Sequence, residues 1–243
     1  MKRWDRDVSF LAAFAIQRGD LICLSGAGGK TSLMYHLAQE ARDMDFRVLV
    51  TTTTRILVPA RNQYDRIDLS GMLFDSQQEL DPGIYVGGSK AYKDDKITGC
   101  SFDVLQSARD RFDLVLNEAD GAACKRLKGW RENEPVIPEF TTKTIGIVDI
   151  NTINMVVNEH NVHRLPQFLS LTGARQGEAV TLSHLQRLIE GRKGIFVNSR
   201  GEKIVFFNRM ESANDFAKAA ELRNLLPQLQ CFGGSLHLAE VYS

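Results

Sequence analysis

The sequence predicts an α/β fold with a mainly parallel sheet and helices on both faces, and three observations carry that expectation. Asp20-Leu21-Ile22-Cys23-Leu24 is an apolar run of strand length that opens into the glycine-rich Ser25-Gly26-Ala27-Gly28-Gly29-Lys30-Thr31-Ser32. Leu33, Leu37, Ala38 and Ala41 then recur at the spacing of one helix face. Phe112-Asp113-Leu114-Val115-Leu116-Asn117-Glu118-Ala119-Asp120-Gly121 is a further strand, apolar within and closed by acids.

The first of these reads as a phosphate-binding loop. Backbone N–H groups at a helix N-terminus can wrap phosphate oxygens, while a lysine reaches the outer phosphates and a hydroxyl serves Mg²⁺. Gly26, Ala27, Gly28, Gly29, Lys30, Thr31 and Ser32 supply those parts. The full G-x-x-x-x-G-K-[ST] pattern would place glycine where Leu24 stands, so Gly26 begins the wrap. The expected ligand is ATP or GTP with Mg²⁺. In the acid-closed strand, Asn117 occupies the place where aspartate is commonest, leaving Glu118 and Asp120 for the metal and for water activation. The expected catalytic residues are therefore Lys30, Glu118 and Asp120, and the expected metal ligands are Thr31, Glu118 and Asp120.

At 243 residues the chain can bury one sizeable core, and a single domain over 1–243 is expected. Thirty basic and thirty acidic side chains give a formal net charge of zero, which supplies no overall attraction to nucleic acid or an anionic membrane. No apolar stretch reaches the length of a membrane span, and the charged start of the chain lacks the pattern of a signal peptide. Four widely spaced cysteines form no C-x-x-C pair, in keeping with a reducing, cytoplasmic setting.

In chain order, residues 7–17 predict a short amphipathic helix with Phe10, Leu11, Phe14 and Ala15 on one face. Phe46 to Val50 predicts a strand running into Thr51-Thr52-Thr53-Thr54. Ligands gather beyond the carboxyl ends of parallel strands, so these hydroxyls are expected at the same rim, with Thr53 and Thr54 nearest the ligand. A short helix is expected at Ser76 to Leu80, a strand at Gly83 to Val86, a solvated charged turn at Tyr92 to Lys96, and a helix from Ser101 to Arg109 through Phe102, Leu105 and Gln106.

Lys125, Arg126, Lys128 and Arg131 interleave with Leu127 and Trp130. Directly after the carboxylate strand, this stretch places Lys128 to meet a phosphate or acidic substrate better than it forms a nucleic-acid patch. Thr144 to Val148 predicts another buried strand. His160 and His163 lie three apart without a third ligand nearby, which favours a polar loop or capping role. Thr181 reads as the N-cap of a helix to Glu190. Lys203 to Phe207 predicts a strand ending in Asn208-Arg209-Met210-Glu211, a variant of the N-K-x-D motif that reads a nucleotide base, before a helix from Asp215 to Leu226. Asn208 and Glu211 are thus expected to contact the base. The chain closes on expected edge strands at Gln230 to Phe232 and Ser235 to Tyr242.

Taken in order, four stretches resemble the YqeC-like family of accessory proteins of selenium-dependent molybdenum hydroxylases. They are Gly26 to Thr31, Thr51 to Thr54, Glu118-Ala119-Asp120-Gly121 running on to Lys128 and Glu134-Pro135-Val136-Ile137-Pro138, and Val162-His163-Arg164. The family usually has a shorter, less basic stretch before Lys128, and tends to N-K-x-D where this chain has Asn208-Arg209-Met210-Glu211, so ATP and GTP both stay open. The resemblance implies a three-layer, P-loop NTPase-like fold. It also implies a cytoplasmic NTP-binding, hydrolysing protein that helps mature a selenium-containing molybdenum cofactor or insert it into a molybdenum hydroxylase. Two other functions fit the same residues: a kinase or nucleotidyl transferase whose small acceptor is held by Lys128 and Arg131, and a non-catalytic switch in which the threonine run reorders around the terminal phosphate.

Overall fold

The computed structural model describes residues 4–74, 79–90 and 95–243. In chain order these form α1 (Phe10–Ala13), β1 (Asp20–Gly26), α2 (Lys30–Arg42), β2 (Arg47–Thr52), β3 (Arg55–Leu57), β4 (Arg66–Asp68), β5 (Gly83–Gly87), β6 (Ser89–Lys90) and β7 (Lys96–Thr98). There follow α3 (Phe102–Arg109), β8 (Leu114–Glu118), β9 (Leu127–Lys128), β10 (Lys143–Asp149), β11 (Val162–His163), α4 (Leu165–Thr172) and α5 (Leu182–Glu190). The last elements are β12 (Glu202–Asn208), α6 (Ala213–Asn224), β13 (Gln230–Ser235) and β14 (Glu240–Tyr242).

Nine of the strands make one sheet in the order β14-β13-β12-β10-β1-β8-β2-β5-β4. Its pairings are parallel except that of β13 with β14. The alternation of side chains along each strand divides the core between the two faces. Ile22, Leu24, Val48, Val50, Leu114 and Leu116 pack with Phe10 and Leu11 of α1 and with Leu33, Met34 and Leu37 of α2. Leu21, Cys23, Leu49 and Val115 face the other way and meet Leu105 and Ala108 of α3. Farther along that second face, Val205 and Phe207 pack against α4, α5 and α6 through Phe168, Leu185 and Leu222. Helices cover both faces, giving three layers. Each fully buried Leu or Ile contributes about 1.5–3 kcal/mol through removal from water.

This order places β1 between β10 and β8, with β2 beyond β8 and β12 beyond β10. Because these strands are parallel, their carboxyl ends, Gly26, Glu118, Thr52, Asp149 and Asn208, share one rim. A small parallel pairing of β9 with β11, which sets His163 beside Lys128, borders the same side.

Several elements differ in extent from the sequence expectation. The first helix stops at Ala13: Ala15 has φ +48°, which takes the backbone out of the helical region, and its side chain is exposed while Phe10, Leu11 and Phe14 are buried. On α3 the inward pair is Leu105 and Ala108, whereas Phe102 and Gln106 point outward. The late helix begins at Ala213 because Ser212 caps it, accepting from Asp215 N while the Asp215 carboxylate reaches back to Ser212 N. The expected helix at Ser76 to Leu80 and the charged turn at Tyr92 to Lys96 fall mostly on residues 75–78 and 91–94, outside the described residues.

Candidate functional site

The loop between β1 and α2 is held open by backbone geometry. Gly26, Gly28 and Gly29 have φ of +107°, +83° and +144°, a region that L side chains rarely adopt. A Cβ on Gly28 would come within 2.5 Å of Asp149 Cβ, so the loop backbone lies directly against the end of β10. Gly29, the N-cap of α2, offers no side-chain hydrogen bond, and no acid sits in the helix's first turn. The positive end of this 13-residue helix thus has neither a side-chain cap nor an acid of its own first turn to offset it.

Lys30 folds back into this loop rather than into solvent. Its Nζ donates to Gly26 O at 2.8 Å and lies 3.2 Å from Asp120 Oδ1 and 3.7 Å from Glu118 Oε1. Burial pulls the Lys30 ammonium towards neutrality, but the two carboxylates outweigh it and the net displacement is upward, so the charge is held. One helical position on, Thr31 Oγ1 donates to Glu118 Oε2 at 2.7 Å, while Ser32 is exposed at the helix start. Burial raises the proton affinity of Glu118 despite Lys30 and Thr31.

Asp120 is the hub beneath the loop. Its fully buried carboxylate accepts through Oδ2 from Ser25 Oγ at 2.9 Å, from Gly26 N at 3.1 Å and from the indole N–H of Trp130. Lys128 Nζ stands 3.1 Å from the same oxygen. Burial works against its charge, yet Lys30, Lys128 and these donors lower its pKa to about 2. The chain of charges continues outward. Lys128 donates to Gly121 O at 2.7 Å and stands 3.6 Å from Glu134 Oε2, and Glu134 is gripped by both arms of the Arg164 guanidinium. Lys128 therefore lies under the rim, with its side chain fully buried, rather than facing it. Burial, joined by Arg164 and Lys128, lowers the pKa of His163 to about 4, which leaves its ring neutral at pH 7. Among the described residues no group of three His, Cys, Asp or Glu side chains is arranged to hold a metal.

The threonine run fastens the rim together. Thr51 Oγ1 donates to Gly87 O at 2.8 Å, Thr52 Oγ1 to Glu118 O at 2.7 Å and Thr53 Oγ1 to Val136 O at 2.5 Å. Thr54 stays close to this lacing, its N–H donating to Thr52 Oγ1 at 2.9 Å. Asn117 points to the face away from α2, donating to Cys23 Sγ at 3.2 Å and to Thr53 Oγ1 at 3.3 Å. Glu118, on the α2 side, is the acid at this strand end that meets both Lys30 and Thr31.

From the opposite side, the end of β12 reaches the loop. Asn208 Nδ2 donates to Gly28 O at 2.7 Å, and its Oδ1 accepts from Leu236 N at 3.2 Å and Arg209 N at 2.8 Å. Glu211 Oε1 accepts from Ser235 Oγ at 2.8 Å at the end of β13. Of the two residues expected to contact the base, Asn208 thus meets the loop at Gly28, while Glu211 is tied to Ser235.

Sequence reasoning passed over Asp149, Trp130 as a buried donor, and the Glu134–Arg164 clasp as a support. Asp149 had a signal, an acid closing an apolar strand just as Glu118 does. Trp130 had none, since an aromatic among basic residues reads equally as a surface patch; its ring is 4% exposed.

No helix among the described residues is long and apolar enough to cross a membrane. No solved structure matches the chain. The chain is similar to an uncharacterized protein YqeC of Escherichia coli (strain K12), 30% identical over 218 residues, which cover 88% of this chain and 85% of that protein. A family model described as YqeC protein matches residues 22–166, more than half of the sequence. On both counts, the chain belongs to the YqeC family.

Proposed function

We propose that this protein binds a magnesium nucleoside triphosphate at the loop Gly26 to Ser32, hydrolyses it, and uses that turnover in the cytoplasm to mature or insert a selenium-containing molybdenum cofactor for molybdenum hydroxylases. The observation that carries the nucleotide half is the single constellation in which Lys30 sits between Asp120 and Glu118 while Thr31 bonds Glu118. The maturation half is supported by the resemblance of the four sequence stretches to the YqeC-like accessory proteins.

In this reading the N–H groups of the loop and first turn of α2 bind phosphate oxygens, and Lys30 supplies its ammonium to the outer phosphates. A hydroxyl and a carboxylate 2.7 Å apart form a hard-oxygen donor set that suits Mg²⁺, so Thr31 and Glu118 would hold the ion, whose chemistry is to neutralise phosphate charge. Glu118, beside Lys30 and Thr31, is also the group placed to orient water and take its proton. Asp120 Oδ2 is taken by protein donors and Oδ1 stands against Lys30, so Asp120 acts through Lys30 and the loop backbone as a positioning residue. The binding-switch alternative draws less support, because three of the four threonine hydroxyls already hold backbone carbonyls. Phosphate release by purified protein with Mg-ATP or Mg-GTP tests the reading, and release that is unchanged in Lys30→Ala would sink it.

A further inference from the structure

We infer that Arg126, with Arg209 beside it, forms an oxyanion seat next to Gly28, serving either the terminal phosphate of the nucleotide or an anionic group on a second substrate. This inference rests on the nucleotide reading above and adds a ligand-contacting residue to it. Arg126 lies on the loop between β8 and β9, and Arg209 on the turn after β12, so two separate segments deliver a guanidinium to one place.

Both meet the carboxylate of Asp149. Arg126 donates from Nε to Oδ2 and from Nη2 to Oδ1 at 2.8 Å, and Arg209 Nε stands 3.1 Å from Oδ2. Asn151 N fills the remaining side of Oδ1 at 3.0 Å. The Asp149 side chain is fully buried, and its acceptors are taken. Two positive groups thus share one negative group, and among the described residues neither guanidinium meets a second carboxylate. If Asp149 only clasped the two segments together, a single arginine would suffice to balance it.

Position supplies the rest of the argument. Asp149 Cβ lies where a Cβ on Gly28 would collide, and Asn208, the neighbour of Arg209, donates to Gly28 O. The surplus charge is therefore fixed at the loop itself. The side chains of Arg126 and Arg209 are 34% and 53% exposed, so their outer N–H edges are open to a ligand. A planar guanidinium held on one edge by a carboxylate offers the other edge to an oxyanion with little loss of rotamer freedom.

The test is calorimetric titration of wild type, Arg126→Gln and Asp149→Asn with NTP, with NDP, and with inorganic phosphate after NDP saturation. If the seat takes the terminal phosphate, Arg126→Gln lowers the NTP-over-NDP affinity ratio about tenfold or more, as for one lost charge-assisted hydrogen bond, and leaves NDP binding intact. If it takes a second substrate, the ratio holds but phosphate binding to the NDP-loaded protein is lost. In either case Asp149→Asn, which loosens both guanidiniums but removes neither, lowers the oxyanion affinity less than Arg126→Gln does. An Arg126→Gln variant that changes none of these ratios, or that weakens NTP, NDP and phosphate equally alongside Asp149→Asn, overturns the inference. Should wild type bind no nucleotide, the functional reading above fails; phosphate titration of the nucleotide-free Lys30→Ala protein, with and without Arg126→Gln, then still decides the seat.

Discussion

The hydroxyl of Thr31 donates to Oε2 of Glu118 across 2.7 Å, joining the first turn of α2 to the end of β8. Glu118→Gln keeps an acceptor for that hydroxyl but removes the charge and the base. Phosphate release should fall at least tenfold while fold stability holds or rises slightly, because burial already disfavours the charged form. Rates equal to wild type at pH 7 would remove Glu118 from the chemistry.

Lys30→Ala leaves Asp120 and Glu118 facing each other in the interior without the cation between them. The variant should lose phosphate release, and its urea midpoint should report a stability loss of about 3 kcal/mol, the scale for breaking a buried ion pair. A variant as stable as wild type would mean that water, not Lys30, compensates these carboxylates.

Asp120 gives the protein an acid limb whose sign is fixed. Its folded pKa of about 2 lies below the ordinary aspartate value, so its contribution is complete above roughly pH 4 and is lost as pH falls towards 2. The contribution is about 2 kcal/mol at most. Denaturation midpoints measured from pH 5 to pH 2 should drop for wild type and drop less steeply in Asp120→Asn, where Asp113 and Glu134, whose pKa values are also lowered, still contribute. That variant is also destabilised at pH 7 by about 3 kcal/mol, since Lys30 and Lys128 lose their shared partner.

The base-reading turn separates into two roles. Asn208→Ala should weaken ATP and GTP alike, because its amide holds Gly28 O and Leu236 N. Glu211→Ala should weaken GTP by about 1 to 3 kcal/mol and leave ATP nearly unchanged, because a carboxylate pairs with the adjacent donors on guanine. Calorimetry with both nucleotides checks this, and equal losses for ATP and GTP in Glu211→Ala would make the turn a purely structural support.

Gly28→Ala should abolish nucleotide binding even if the protein folds. The new Cβ meets Asp149 Cβ at 2.5 Å and sits at φ +83°, so the loop must move or Asp149 must yield. A crystal structure or nucleotide titration of the variant reads the result directly.

Much of this was legible in the chain because it is local. A loop written as Gly26-Ala27-Gly28-Gly29-Lys30-Thr31 between an apolar strand and an amphipathic helix carries its own geometry, and the acid-closed strand at Glu118 is visible by its pattern. What stayed hidden is what depends on which strand lies beside which. The inward turn of Lys128 follows from the pairing of β9 with β11 and from Asp120 below it. The fastening of Thr51, Thr52 and Thr53 needs carbonyls at Gly87, Glu118 and Val136, and no spacing in the threonine run announces those partners. The helix boundaries slipped for a different reason, since a positive φ at Ala15 or a cap at Ser212 decides the end within a residue or two.

The bond from Asn208 to Gly28 O spans 180 residues of sequence. During synthesis the glycine-rich loop emerges early, but the amide that locks its carbonyl arrives only when β12 does, and Leu236 N completes the clasp later still. The loop is therefore incompletely braced on any nascent chain shorter than that point. On the function proposed above, nucleotide capture therefore waits until translation has passed β12 and Leu236.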